Sequence, residues 1–278
     1  MSTTLASPPA RGRTGSGARR RALSGPLLGF TCVVGVLVVL ELLSRAGVVD
    51  RADVPPVSSI LAELGRQVVS GPFWAALGHT LEGWALGLAI ATIVGVAVGL
   101  LVGSSRIADQ ALRIVIDFLR PVPSVALVPL AVLLYGTGLQ SKVALVVFAA
   151  TWPILLATSY GVRDVDGLAV EAGRSFGLGP AERLRRIVVP SVVPAVATGV
   201  RVSSSIALIL AVTAELIIGS PGLGAAIGTA ETGGAITEMY ALVVATGILG
   251  LLLNVLFTQT EGRLLAWHPS HRDQEPVA

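Results

Sequence analysis

The chain is 278 residues long, 53% hydrophobic and only 13% charged, with a mean hydropathy of +0.79. A soluble domain is roughly 25% charged, so a chain this apolar could not cover its surface in water and its solvent is largely lipid. Its 20 cationic and 17 acidic residues leave a net charge of +3, and its one cysteine, Cys32, excludes an internal disulfide or a thiolate metal cluster.

Residues 1–24 carry Arg11, Arg13, Arg19, Arg20 and Arg21 among Ser, Pro and Gly and read as a disordered tail. The apolar run from Ala22 to Leu40 follows with the basic start of a signal peptide. Its length, and the lack of a small-x-small cleavage site in Glu41-Leu42-Leu43-Ser44-Arg45, favour an uncleaved span. Pro55-Pro56-Val57-Ser58-Ser59 then leads into a Ser-capped amphipathic helix with Ile60, Leu61, Leu64 and Val68 on one face. That helix is expected on the outer membrane surface. The second span, Gly83 to Ser105, repeats a small residue every fourth position through Gly83, Gly87, Ala91, Gly95, Gly99 and Gly103. Such a stripe admits close approach of another helix, either within the chain or from a second subunit.

Four more spans follow at the length a bilayer requires. Pro121 to Ser141 holds Pro121, Pro123 and Pro129 and is expected to be kinked or partly unwound. Val143 to Val162, Ala195 to Gly219 and Met239 to Thr260 complete six. With both termini inside, sixteen cationic residues lie on the cytoplasmic side and four (Arg45, Arg51, Arg66, Lys142) outside, a strong positive-inside signal. The cations divide among short segments and form no groove for nucleic acid. Trp84, Tyr135, Tyr160, Tyr240 and Trp267 fall near span ends, where amphipathic rings favour the headgroups. Lys142, the single lysine, stands in no G-x-x-x-x-G-K-[ST] loop, so the chain hydrolyses no ATP by that route. His79, His268 and His271 are too scattered for a zinc site, and no G-x-S-x-G occurs.

The connection 163–194 is the most informative stretch. Asp164 and Asp166 start a helix through Leu168, Ala169, Ala172 and Phe176, which Gly177 ends. A second helix begins at Gly179-Pro180, with proline in the first turn, and stops at Pro190. A strongly charged connection of about thirty residues exceeds what reconnecting two helices requires, and a protruding hairpin suits insertion into a partner's groove.

Glu171-Ala172-Gly173, Gly177, Ile187 and Pro190 reproduce the spacing E-A-A-x3-G-x9-I-x-L-P, with Gly173 and Val189 as the departures. This resembles the EAA motif of membrane-spanning permease subunits of ATP-binding-cassette (ABC) importers. Leu119-Arg120-Pro121-Val122-Pro123, Pro129, Gly136-Thr137-Gly138, Ala214-Glu215-Leu216 and Gly222-Leu223-Gly224 resemble the nitrate/sulfonate/taurine-type permeases, over roughly residues 25–265. The resemblance implies an all-α bacterial cell-membrane protein of the type I importer kind. Its six-span domain would cover 25–265 and its cytoplasmic tail 266–278. Glu171, Ala172, Gly173, Arg174, Phe176, Gly177, Ile187 and Pro190 would couple it to two ATPase subunits, which bind ATP and Mg; the chain itself would hold no cofactor. A second permease copy, a periplasmic or lipid-anchored solute-binding protein and membrane lipid complete the implied partners, and the solute would be a sulfonate-, nitrate- or taurine-like anion.

Glu215 lies inside the fifth span, after Thr213 and a Ser203-Ser204-Ser205 run. Either it lines the translocation path with Ser204 and Thr213, or it sits near the outer end, bonded to the Gly-rich loop. As a path residue it would also admit a rival, a secondary transporter driven by an ion gradient through Glu215. An intramembrane enzyme has no paired catalytic groups to support it. Gly222 to Gly228 breaks the nucleotide-binding spacing and reads as a periplasmic turn.

Overall fold

The computed structural model of the chain describes residues 25–48, 50 and 53–264. The expected tails 1–24 and 266–278, with Trp267, and Arg51 lie outside the described residues. Every regular element among the described residues is helical. Helix α1 (Gly25–Arg45) matches the first expected span; α2 (Val57–Val68) and α3 (Gly71–Ser104) follow. The α3 helix is 34 residues long and starts twelve residues before the charge-free run, because His79 and Glu82 interrupt the run without breaking the helix. Ser70 caps it, accepting from the Phe73 backbone N–H at 3.4 Å.

The third expected span is broken, as its prolines imply, but begins earlier. Helix α4 (Arg106–Leu119), a tight turn over Ser124–Leu127 and α5 (Val128–Tyr135) make it up, and the chain bends by 85° between α4 and the segment Ser124–Tyr135. Pro121 and Pro123 cannot donate into a helix and push the residues before them out of the helical region. Helix α6 (Leu139–Arg163) follows, then α7 (Gly167–Ser175) and α8 (Pro180–Arg183), a wide π turn (Leu184–Val188), α9 (Val189–Ile218), α10 (Leu223–Thr232) and α11 (Ile236–Leu264). Four helical stretches (Gly71–Ser104, Leu139–Arg163, Pro180–Ile218 and Ile236–Arg263) are long and apolar enough to cross a membrane, and the bent pair makes a fifth. Helix α1, 21 residues long, reaches about 30 Å at the α-helical rise.

Pro190 does not stop a helix as expected. Pro180 to Ile218 is one continuous 39-residue rod. The wider turn before Pro190 removes the carbonyl clash that a proline makes inside regular α-helix.

The core is α3, α6 and α9. The small-residue stripe of α3 faces α6 within the same chain, so the intramolecular alternative holds. A Cβ at Gly83 would meet Lys142, and at Gly87, Gly95, Gly99 and Gly103 it would meet Val146, Ile154, Thr158 and Val162. The constant offset makes α3 and α6 parallel. Helix α9 runs antiparallel to α6: Gly161 sits against Ala195, and Ser203 Oγ donates to the Ala150 carbonyl at 2.7 Å. Helix α11 runs antiparallel to α9, with Gly250 against Leu208 and Thr198 Oγ1 donating to Glu261 Oε1 at 3.0 Å. One end of the bundle therefore carries the α3–α4 joint, the α6–α9 connection and the end of α11. The other carries the loops 136–139 and 219–236.

A Cβ at Gly99 would stand 2.7 Å from the Leu155 carbonyl and 2.6 Å from Thr158 Cβ, whereas Gly78 has open space. Gly99→Val is expected to lower stability by about 3 kcal/mol through overpacking. Gly78→Ala should be neutral or stabilising by up to about 1 kcal/mol. Thermal unfolding midpoints in detergent test both, and an unchanged midpoint in Gly99→Val would refute the packing role.

Three smaller expectations change. Pro56, not a serine, precedes α2 with no side-chain cap; Ser58 instead donates through its N–H and Oγ to the Glu41 carboxylate, at 3.0 and 2.8 Å, tying α2 to α1. Helix α2 also leans on α11, with Gln67 Nε2 donating to Glu238 Oε1 at 3.0 Å. Trp84 lies well inside α3, its Nε1 donating to the Ser204 carbonyl at 3.0 Å.

Candidate functional site

The hairpin is built from local signals. Asp166 caps α7, accepting from the Leu168 N–H at 2.9 Å, while Asp164 closes α6 and does not start α7. At the end of α7 the Leu178 N–H donates to the Gly173 carbonyl and the Gly177 N–H to the Arg174 carbonyl, both at 3.0 Å. Gly177 has φ +81°, the left-handed position that glycine tolerates and that this double closure requires. Gly179 precedes α8, and Pro180 occupies its first turn.

One face of α7 packs and the other is free. Gly173 is buried, and a Cβ there would fall 2.6 Å from Ile187 Cδ1 and 3.3 Å from Leu178 Cδ1. This gives the departure from alanine at Gly173 a physical reason: Ile187 on the π turn fills the space. Glu171, Ala172 and Arg174 are exposed, and Phe176 is 86% exposed. A free phenyl ring at the tip of a charged hairpin gains by burial in a partner. Pro190 is exposed on α9.

At the opposite end of the bundle is a buried polar knot that the sequence did not foretell. Lys142 Nζ pairs with Glu215 Oε1 at 2.8 Å, with the side chains 2% and 0% exposed. Nζ also donates to the His79 carbonyl at 2.9 Å and the Pro221 carbonyl at 3.2 Å. Glu215 Oε2 accepts from Thr80 Oγ1 at 2.9 Å and the Gly224 N–H at 3.0 Å, and the Leu223 N–H donates to Thr80 Oγ1 at 2.9 Å. Every donor of Lys142 and both oxygens of Glu215 are thus engaged, the condition under which a buried ion pair is tolerated.

Two readings are sharpened here. Lys142, counted with the outer charges, is buried at that end of the bundle, and Glu215 is not alone; the bond to the Gly-rich loop, one of its two alternatives, is present. The loop is also more than a turn. Residues 223–232 form α10, folded back against α9, α11 and α3, with Leu223 fully buried. A Cβ on Gly222 would coincide with the Glu215 carboxylate, and one on Gly224 with the Val212 carbonyl. Two opposite charges near the ends of two spans were the available signal, since each is expensive in lipid without the other.

Ser204 and Thr213 come together with Ser205 and Thr246 along a groove of about 400 Å³ between α9 and α11, otherwise lined by Leu208, Ile209, Val212 and Leu253. Ser204 itself is buried, whereas Thr213 is partly open. The groove carries four hydroxyls and no fixed charge. No cluster of His, Cys, Asp and Glu that could hold a metal occurs among the described residues.

Residues 87–260 match the family described as binding-protein-dependent transport system inner membrane component. The bicarbonate transport system permease protein CmpB of Synechocystis is 29% identical over 252 residues, covering 85% of this chain and 86% of that protein. The nitrate import permease protein NrtB of Leptolyngbya laminosa is 29% identical over 192 residues, covering 69% of this chain and 68% of that protein. Among solved structures, the inward-facing MetNI methionine ABC transporter shares the fold with a TM-score of 0.61. It is 19% identical, over 69% of this chain and 98% of that one.

Proposed function

The chain belongs to the family of binding-protein-dependent transport system inner membrane components, and from that premise we propose what it carries and which residues drive it. It is a non-catalytic permease subunit of an ABC importer, a multi-pass membrane protein that works with an ATPase chain and a solute-binding protein. The proposed solute is a small oxyanion: relatives serve bicarbonate and nitrate, and the groove at Ser204 and Thr213 offers hydroxyls without a charge that would trap an anion. Selection among oxyanions then rests with the binding protein. Two copies of the chain form the path, and two ATPase subunits hold ATP and Mg.

The observation that carries the coupling reading is the hairpin itself: Gly173 and Ile187 lock its back while Glu171, Ala172, Arg174 and Phe176 face outward. Gly177 sets its turn, and Pro190 joins it to α9 without a break. ATP-driven closure of the ATPase pair would draw two such hairpins together and move α9 as a rod. The end bearing the hairpin is the cytoplasmic one, in keeping with the arginines at 106, 113, 120, 163, 174, 183, 185 and 186.

Proteoliposomes containing this chain, its ATPase and its binding protein test the reading. Uptake of labelled bicarbonate or nitrate should require ATP and the binding protein together. Uptake by the chain alone under an ion gradient would overturn it.

A further inference from the structure

A second ion pair lies inside the spans, and it is built differently from the buried knot. Arg201 sits within α9, about 9 Å along the helix beyond the level where Ala195 meets Gly161 near the inner end of α6. Its NH1 reaches Glu261 Oε2 on α11 at 3.2 Å, with the side chains 36% and 12% exposed. Glu261 Oε1 accepts from Thr198 Oγ1, but Oε2 has no hydrogen-bond partner, and the Arg201 guanidinium makes no hydrogen bond among the described residues. Lys142 and Glu215, by contrast, engage every donor and both oxygens and are sealed. An arginine inside a span with donors to spare marks a place where something charged passes.

Its position says what passes. Arg201 precedes Ser204, Ser205, Leu208 and Val212 by three, four, seven and eleven residues, so it shares the face of α9 that lines the groove. Glu261 follows Gly247 and Gly250 by fourteen and eleven residues, which puts it on the groove face of α11. The pair therefore stands at the inner end of the groove, one turn below Ser204. No Lys or Arg occurs in α9 from Val202 to Ile218 or in α11 from Ile236 to Gly262. Arg201 is thus the first cation that either wall presents to a solute moving inward.

We propose that Arg201 is the anion-recognition residue of the path, binding a small planar oxyanion as it leaves the groove, with Glu261 as the counter-ion it exchanges. A guanidinium fork meets a trigonal oxyanion through two parallel N–H···O bonds, as it meets a carboxylate. Glu261 keeps its Thr198 bond when released, and its charge offsets that of Arg201, so the solute is recognised without being trapped. The proposal rests on the reading of the groove as the path and of the solute as an oxyanion.

The test titrates nitrate, against equal gluconate, into the detergent-solubilised complex of the full chain with its ATPase and reads the rise in the midpoint of thermal unfolding. The wild type should show a saturable rise. Arg201→Gln should weaken nitrate roughly tenfold or more through the loss of charge-assisted bonds. Arg201→Lys, which keeps the charge but not the fork, should weaken it only about threefold, so a loss by misfolding is distinguishable. Glu261→Gln should bind nitrate more tightly, because the carboxylate that competes for the guanidinium is gone. A mere clasp between α9 and α11 predicts instead that both neutral variants lose stability alike and respond to nitrate as the wild type does. That result, or a wild type indifferent to nitrate, would overturn the site. In proteoliposomes with the binding protein, Arg201→Gln should lower nitrate uptake by roughly the same tenfold. A wild type that binds nitrate through Arg201 yet imports neither nitrate nor bicarbonate would overturn the oxyanion-import reading and keep the anion site.

Discussion

Lys142→Met should be the most destabilising single substitution in the bundle, costing about 3–5 kcal/mol, the penalty for leaving a buried charge without its partner. Glu215 is fully enclosed, and its remaining donors, Thr80 Oγ1 and the Gly224 N–H, are neutral groups. The loss should lower the midpoint of thermal unfolding in detergent by roughly 10 °C. Lys142→Met/Glu215→Leu should regain most of it, since two apolar groups of similar volume leave nothing unsatisfied. A single variant as stable as the wild type would show that water reaches the pair. A double variant that remains as unstable as the single would show that the Thr80 and Gly224 bonds matter more than charge. If the double variant is stable but transport-deficient, the pair holds the loop 219–222 and α10 in a working position that apolar packing does not reproduce.

Gly177→Val should abolish coupled transport with little effect on insertion. No atom lies within 4 Å of a Cβ at this position, so the substitution meets no steric neighbour. Its cost is conformational, at least about 1–2 kcal/mol for an L-residue held left-handed and more for a β-branched one. That is enough to lower the population of the closed turn roughly tenfold or more and to swing Phe176 away from its exposed site. Uptake and ATPase capture should fall together by a similar factor, while the amount of protein in the membrane stays constant. Gly177→Asn, which tolerates the left-handed region, should keep most of both. Normal uptake in Gly177→Val would remove the hairpin from the coupling reaction.

The long helices were legible because their signal is one-dimensional. Apolar runs located α6, α9 and α11 to within a turn or two, and the hairpin was readable from Asp166, Gly177 and Pro180, each of which acts on its own neighbours. Proline was harder. Pro121 and Pro123 do break the chain, yet Pro190 does not, and the difference lies in the π turn over Leu184–Val188, which follows from how the hairpin packs through Gly173 and Ile187. The amphipathic segment Arg106–Leu119 escaped a search for apolar runs because its polar face borders the α6 arginine and tyrosine at the bundle end.

The sequence by itself determined the solvent, the helical class, the family and the hairpin, because hydropathy, motif spacing and helix punctuation are properties of adjacent residues. Only the tertiary structure decided where the charges inside the spans go. Lys142 and Glu215 are 73 residues apart and come within hydrogen-bonding distance because α6 and α9 run antiparallel from a shared packing face. The same lysine that counts with the outer charges is thereby the best-enclosed cation among the described residues. Pairing across a fold depends on helix order and offset, and neither is written in the stretch of chain around either residue.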